Sequence, residues 1–346
     1  MSDAFDQLES RLLGVIQSAA PLSSTEFGAI ALEIYQFQRA HNPVYDRYCQ
    51  MVNSPLDLED WKAIPAVPQS AFKHSPLRAF PEALTSTTFR TSGTTGEGFG
   101  EHHFRSTRLY DAAILQGWDY FRLPTLRQVI LTPTPAQAPY SSLSHMMGCL
   151  KERAPRGSQH FCIRSDGSLD LDQFKEALHG DQPLLLLGTA LAFLHLFERG
   201  EFFKLPAGSH AFETGGYKGE RRVLTKAELY RLFHDHLGLE TASIINEYGM
   251  TELSSQFYSR GIGNPHFCPP WMKTALIDPE TGNEAKEGAT GMIRIFDLAN
   301  LGSVQAIQTA DLAIQRGEGF ELLGRDPSAL PRGCSRSADE MLTRGV

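Results

Sequence analysis

"PLLLLGTALAFLHLFERG" (residues 183–200) sets a run of leucines, a glycine and an apolar segment of helical length in direct succession. The leucine run has the length of a buried strand, and the segment after Gly188 has the length of a helix, so the stretch reads as strand–turn–helix. The pattern recurs on both sides. "QVILTP" (128–133) reads as a buried strand, with a helix after it over "SSLSHMMGCLKER" (141–153). "ASIINEYGMTE" (242–252) puts Ile244 and Ile245 in a strand that ends at a polar turn, and "GMIRIFDL" (291–298) alternates as a half-buried strand does. Strands separated by helices specify an α/β architecture.

The N-terminal region is helical by the same logic. Phe5, Leu8, Leu12 and Val15, then Phe27, Ile30, Ile34 and Phe37, recur at three- and four-residue steps. Ser23 and Glu26 have capping-box spacing ahead of the second set. "AIPAVPQSAFKHSP" (63–76), with three prolines, reads as a linker.

Composition narrows the function. The 346 residues can bury one large core or two smaller ones. Lysine and arginine total 32 against 40 acidic residues, a net charge of −8, with no basic run, which excludes nucleic acid as a partner. The five cysteines (Cys49, Cys149, Cys162, Cys268 and Cys334) are scattered and lack CxxC spacing. They form neither a disulfide framework nor a structural zinc site, and they suit a reducing cytoplasm. His102–His103, His160 with Cys162, and His266 with Cys268 do not assemble into four-ligand sets. No GxSxG elbow is present. The N-terminus lacks the pattern of a signal peptide, and the apolar run 183–197 is too short and broken to span a bilayer.

The chemistry-bearing stretch is "FRTSGTTGEGFGEHH" (89–103). Its glycines let backbone N–H groups converge and its hydroxyls add donors, as a phosphate loop requires. It is not a Walker loop, and Gly96, Gly98 and Gly100 fall one residue short of a dinucleotide fingerprint. Read alone, such a hexapeptide also suits a surface turn. Four further motifs lie downstream: "ETGGYKG" (213–219), "NEYGMTE" (246–252), "IQTADLA" (307–313) and "LLGRDPSALPRGCS" (322–335).

In that order the five motifs resemble those of the adenylate-forming superfamily of acyl and aryl acid ligases. Within it, the chain is most similar to the LuxE-type acyl-protein synthetases, through its short length, "SSLSHM" after "LTPTP", and "RGCS" near its end. The likeness spans roughly residues 55 to 340. It implies the large N-terminal domain of these enzymes, with layered α/β sheets and a β-barrel-like subdomain, and with the C-terminal domain largely absent. The expected organisation is a helical region over 1–80, an adenylate-forming core over 81–323, and a hinge-like motif and tail over 324–346.

Residue by residue, the resemblance implies a site for ATP and Mg²⁺. Thr91, Ser92, Gly93, Thr94, Thr95 and Gly96 would hold the β- and γ-phosphates. Glu252 would ligate Mg²⁺. Tyr248, with Gly249 and Thr251 of the same motif, would flank the adenine, and Gly215 and Gly216 would permit close backbone approach. Asp311 would accept from the ribose hydroxyls, and Arg325 would contact the ribose or α-phosphate. Cys334, between Arg332 and Arg336, would be a thiol that takes the acyl group; a structural cysteine in a hinge turn is the other reading.

Two departures stand out. Where these enzymes carry a proline and lysine after TTG, this chain reads "EGFGE" (97–101), and the resemblance implies that the lysine-bearing C-terminal domain is largely absent. Lys218 or Arg332, or a partner subunit, would supply the charge. The reaction implied is ATP-dependent activation of a carboxylic acid, a fatty acid first, followed by transfer to a thiol. A reductase or carrier protein would accept the acyl group, and homo-oligomerisation stays open. The alternatives are an aryl-acid enzyme delivering to coenzyme A, a carrier protein or an amine, and a non-catalytic adenylate-binding subunit. Met146, Met147 and Phe193 read equally as liners of the acid pocket or as core.

Overall fold

The computed structural model describes residues 3–91, 98–215 and 224–325. Its helices are α1 (Ala4–Ser18), α2 (Ser24–His41), α3 (Pro43–Met51), α4 (Arg108–Tyr120), α5 (Ser142–Cys149), α6 (Leu171–Leu178), α7 (Ala190–Glu198) and α8 (Lys226–Leu237). The first strands are β1 (Val67–Pro68), β2 (Thr87–Arg90), β3 (Glu101–Phe104), β4 (Arg127–Leu131), β5 (Gln159–Phe161), β6 (Leu184–Thr189) and β7 (His210–Thr214). The remainder are β8 (Ile244–Tyr248), β9 (Phe257–Arg260), β10 (Met272–Ile277), β11 (Thr290–Asp297), β12 (Ala306–Arg316) and β13 (Gly319–Arg325). Two compact units result. The first takes Met1–Gly117, Met250–Ser255 and Phe267–Val346; the second takes Trp118–Gly249 and Gln256–His266.

The first unit contains a five-stranded sheet in the order β1-β12-β11-β10, with β13 also pairing with β12. β12 is long enough to take two partners on one side: parallel β1 at Ile307 and Gln308, and antiparallel β13 from Asp311 onward. The helices dock through buried amides. Gln38 of α2 donates to the Asn300 and Leu301 carbonyls at 2.9 and 3.1 Å, and Gln305 donates to the Ala31 carbonyl at 2.7 Å. The capping box at Ser23 and Glu26 forms as the spacing predicts.

The proline-rich segment 63–76 is not a linker. It supplies β1 and a 3₁₀ turn (Gln69–Lys73), and Ile64, Val67, Ala71 and Phe72 are buried. Pro68 sits in β1, an edge strand of the sheet, where proline is tolerated. Tyr45 and Tyr48 donate to the Pro65 and Ala66 carbonyls at 2.9 and 3.0 Å, satisfying backbone that no strand pairs.

The second unit is a six-stranded sheet, β5-β4-β6-β7-β8-β9, parallel except for β9. The leucine run forms β6, buried along almost its whole length, as a parallel strand covered on both faces must be. Thr189 caps α7 by accepting from the Ala192 N–H at 3.0 Å. Phe193 faces the core with Phe197 and Phe233, at ring separations of 6.2 and 4.5 Å. The core reading of Phe193 is the one its packing bears out, and Met146 and Met147 are likewise buried. Among the described residues no helix is long and apolar enough to cross a membrane.

Candidate functional site

In the first unit, β2 and β3 form a hairpin whose connection carries the 91–96 loop. At its neck the Thr91 N–H donates to the Gly100 carbonyl at 2.9 Å, and the Gly100 N–H donates to Thr91 Oγ1 at 2.8 Å. A Cβ at Gly100 would lie 3.1 Å from Thr91 Cγ2, so the closure favours glycine there. Ser92, Gly93, Thr94, Thr95 and Gly96 lie outside the described residues.

Two residues beyond Gly100, His102 is buried, and its Nδ1 donates to the Thr251 carbonyl at 2.8 Å. Burial pushes this imidazole down to about 4, so it is neutral at neutral pH, and the carbonyl fixes the tautomer. The β2–β3 hairpin is thereby tied to the Thr251–Glu252 pair of "NEYGMTE" (246–252). Asn300 holds the same segment from the other side, donating to the Glu252 carbonyl at 2.9 Å.

A second layer fixes the following serines. Asp297, fully buried at the end of β11, accepts from the Ser254 and Ala299 N–H groups, each at 3.0 Å, and from Ser255 Oγ at 2.8 Å. Burial pushes its carboxyl up to about 6 against these hydrogen bonds. Trp271 completes the layer by donating to Ser255 Oγ at 3.0 Å. Glu252 is itself buried. Its one carboxylate suits Mg²⁺, a hard cation that takes one or two protein oxygens and fills its shell with water and phosphate.

Asp311 and Arg325 face each other across the β12–β13 pairing. Arg325 Nε donates to Asp311 Oδ1 at 3.1 Å, and its Nη2 donates to Gln69 Oε1, also at 3.1 Å. The branching of β12 thus collects the two sequence-predicted residues with Gln69, which carries no motif of its own. Asp311 is largely buried, with 14% of its side chain exposed, and Arg325 is 55% exposed.

In the second unit, a buried polar cluster lies at the carboxyl ends of β7 and β8, where open α/β sheets bind ligands. Register pairs Glu213 with Asn246 and Thr214 with Glu247. Asn246 Nδ2 donates to Glu213 Oε1 at 2.6 Å, and Tyr230 donates to the same oxygen at 3.0 Å. Lys226 Nζ donates to Asn246 Oδ1 at 2.9 Å, and His266 Nε2 donates to it at 2.6 Å. Thr214 donates to Glu247. Burial pushes both Glu213 and Glu247 up to about 7; it drives His266 down to about 3, with the Lys226 charge adding to the shift.

Tyr248 and Gly249 extend from this cluster. The Tyr248 ring is buried near those of Phe257 and His266, at 5.6 and 6.1 Å. A Cβ at Gly249 would collide with the Glu247 carboxylate. Gly215 has φ +71°, a conformation that glycine adopts without strain. Gly216, Lys218, Arg332 and Cys334 lie outside the described residues. Glu213, Asn246 and Glu247 stand inside the quoted motifs, but their burial comes from strand order, which sequence spacing does not carry.

The sequence matches the family described as "Acyl-protein synthetase, LuxE" over residues 24–343. The chain belongs to the LuxE acyl-protein synthetase family. A curated relative, the long-chain-fatty-acid–luciferin-component ligase of Vibrio harveyi, is 21% identical over 327 residues, covering 89% of this chain and 86% of its own. Among solved structures, ATP-bound MatB from Rhodopseudomonas palustris gives a TM-score of 0.53 at 20% identity, covering 70% of this chain. This LuxE-family chain spans about half of MatB, 48% of its length. A 2-hydroxyisobutyryl-CoA ligase, in complex with 2-HIB-AMP and CoA, gives 0.63 at 16% identity over 87% of this chain and 69% of that one. The LuxE-family fold is therefore that of the adenylate-forming enzymes.

Proposed function

We propose that this LuxE-family protein activates a long-chain fatty acid with ATP and passes the acyl group to a thiol. A carboxylate is a poor acyl donor; attack of its oxygen on the α-phosphorus forms the mixed anhydride with AMP and releases pyrophosphate. The negative charge that develops is met by positioned donors and a cation. Thiolate attack on the acyl carbon then forms the thioester and releases AMP.

The observation that carries this reading is the 2.8 Å tie between His102 and the Thr251 carbonyl. It fixes the base of the phosphate-loop hairpin against the segment bearing Glu252, as a site for a metal-bound triphosphate requires. In this reading residues 91–96 hold the leaving pyrophosphate, Glu252 holds Mg²⁺, Asp311 takes the ribose hydroxyls, and Arg325 contacts the ribose or α-phosphate. Tyr248, Gly249, Thr251, Gly215 and Gly216 border the adenine. Cys334 is the acyl acceptor, and Lys218 or Arg332 supplies the remaining charge. The fatty acid is favoured by the substrate named for the Vibrio harveyi relative.

The test is pyrophosphate exchange into ATP with pooled fatty acids and with pooled aromatic acids. Exchange with the fatty pool, lost in a folded Glu252→Ala variant, is the expected result. Exchange with the aromatic pool alone would overturn the substrate, and full activity of Glu252→Ala would overturn the metal assignment. Cys334→Ser should still exchange but lose hydroxylamine-sensitive acyl labelling of the protein.

A further inference from the structure

Within the first unit, a cleft of ≈360 Å³ opens beside the segment from α3 to β1, lined by Tyr48, Val52, Leu58, Lys62, Ile64 and Arg294 among others. Its volume is that of a small-molecule site. No residue assigned to nucleotide or acid activation lines it.

Arg294 projects from β11 and is half-buried, and desolvation depresses its pKa, opposed by Tyr48. Its Nε donates to a neutral group, Gln308 Oε1, at 3.0 Å. Among the described residues no carboxylate pairs with it. A guanidinium with five donors, so placed, holds positive charge that its own surroundings do not balance. At the rim Lys62 adds a second cation, whose ion pair with Glu284 at 3.1 Å is half-exposed on both sides and weak.

Four backbone carbonyls of the wall are already used. Arg39 donates to the Ser54 carbonyl at 2.9 Å, and Tyr35 donates to the Pro55 carbonyl at 2.7 Å. Tyr45 and Tyr48 take the Pro65 and Ala66 carbonyls. The Ser54 hydroxyl is bonded to the Tyr35 hydroxyl at 2.9 Å. The cleft therefore presents an apolar wall (Val52, Pro55, Leu58 and Ile64) and cationic donors, so the complementary ligand has acceptors at one end and hydrocarbon at the other.

We infer that this cleft is a second binding site, for an amphiphilic monoanion whose carboxylate-type head meets Arg294 and whose short apolar chain lies on the α3–β1 wall. The site is independent of the reaction proposed above, and it fits a small organic acid as an effector.

Octanoate is the probe, titrated calorimetrically into the full-length protein without ATP, with octanol and inorganic phosphate as controls. Binding of octanoate but not octanol is expected. Arg294→Gln should weaken it by roughly tenfold or more, the loss of a charge-assisted contact, and Arg294→Lys should restore part of it. Val52→Trp, which fills the cleft from an exposed position, should abolish the same binding event and covers the case in which Arg294→Gln does not fold. Acid-dependent pyrophosphate exchange, measured separately, should persist in these variants, so failure of either reading is seen without the other. Identical octanoate titrations in wild type, Arg294→Gln and Val52→Trp would overturn the site. Phosphate binding as tightly as octanoate, or octanol matching it, would overturn the amphiphilic anion.

Discussion

His102 and Thr251, 149 positions apart in sequence, are joined by a part-buried hydrogen bond of 2.8 Å from ring nitrogen to carbonyl oxygen. The ring also packs against Phe104 and Phe72, with centroids at 4.1 and 5.6 Å. Replacing it removes the partner of a part-buried carbonyl and opens a cavity where the buried ring was.

His102→Ala should therefore cost about 2–3 kcal/mol of stability and lower pyrophosphate exchange out of proportion to the fraction unfolded. Urea denaturation gives the first quantity and exchange by the folded variant gives the second. Wild-type exchange from a destabilised but folded variant would show that the tie serves stability alone.

Asp311 separates binding from stability. Its ion pair with Arg325 is more than half-exposed on the arginine side, so it contributes at most about 1 kcal/mol. Asp311→Asn keeps the shape but halves the acceptor capacity toward two hydroxyls. The expected outcome is a KM for ATP raised by roughly tenfold, as loss of a charge-assisted hydrogen bond gives, with little change in the urea midpoint. An unchanged KM would remove Asp311 from the nucleotide site.

Much of this fold is legible in the residues alone. The leucine run specifies β6, Ser23 and Glu26 specify the start of α2, and the motif order specifies the fold family. Such reading fails where partners are distant in sequence. Residues 63–76 look like a linker because β1 has only two residues, and its pairing with Ile307 and Gln308 leaves no local periodicity. Phe193 reads equally as a pocket liner or as core until the packing of α7 turns it into the core. Asp297 and Asn300 carry no motif, since their role is to hold the backbone of residues that do.

Glu247 makes stability depend on pH. Its carboxyl titrates at about 7 in the fold, against a reference of 4.5, because of burial and then the neighbouring Glu213, with Thr214 opposing. The folded state binds more protons across that interval. Its contribution is thus fully present below about 4.5 and lost as pH rises through about 7. Glu247→Gln removes this titration. The difference in stability between wild type and variant should shift steadily toward the variant as pH rises through the window. His102 and His266, with depressed values, act in the opposite sense, but both proteins contain them and they largely cancel in the difference. Parallel stability–pH curves would show that Glu247 titrates normally.

Gly249 is constrained by the same carboxylate. Its backbone is not in the left-handed region, so substitution carries no φ strain. The obstacle is contact: a new Cβ would meet the Glu247 carboxylate and come within 3.7 Å of Gln256 Cγ. Glu247 is buried and held by the Thr214 hydroxyl, so it yields only by giving up that bond. Gly249→Ala should cost about 1–3 kcal/mol, the range for overpacking. In a Glu247→Ala background the obstacle is gone, and the added penalty should fall to a few tenths of a kcal/mol. A full set of denaturation curves closes the double-mutant cycle. Equal penalties in both backgrounds would mean that Gly249 is needed for something other than room beside Glu247.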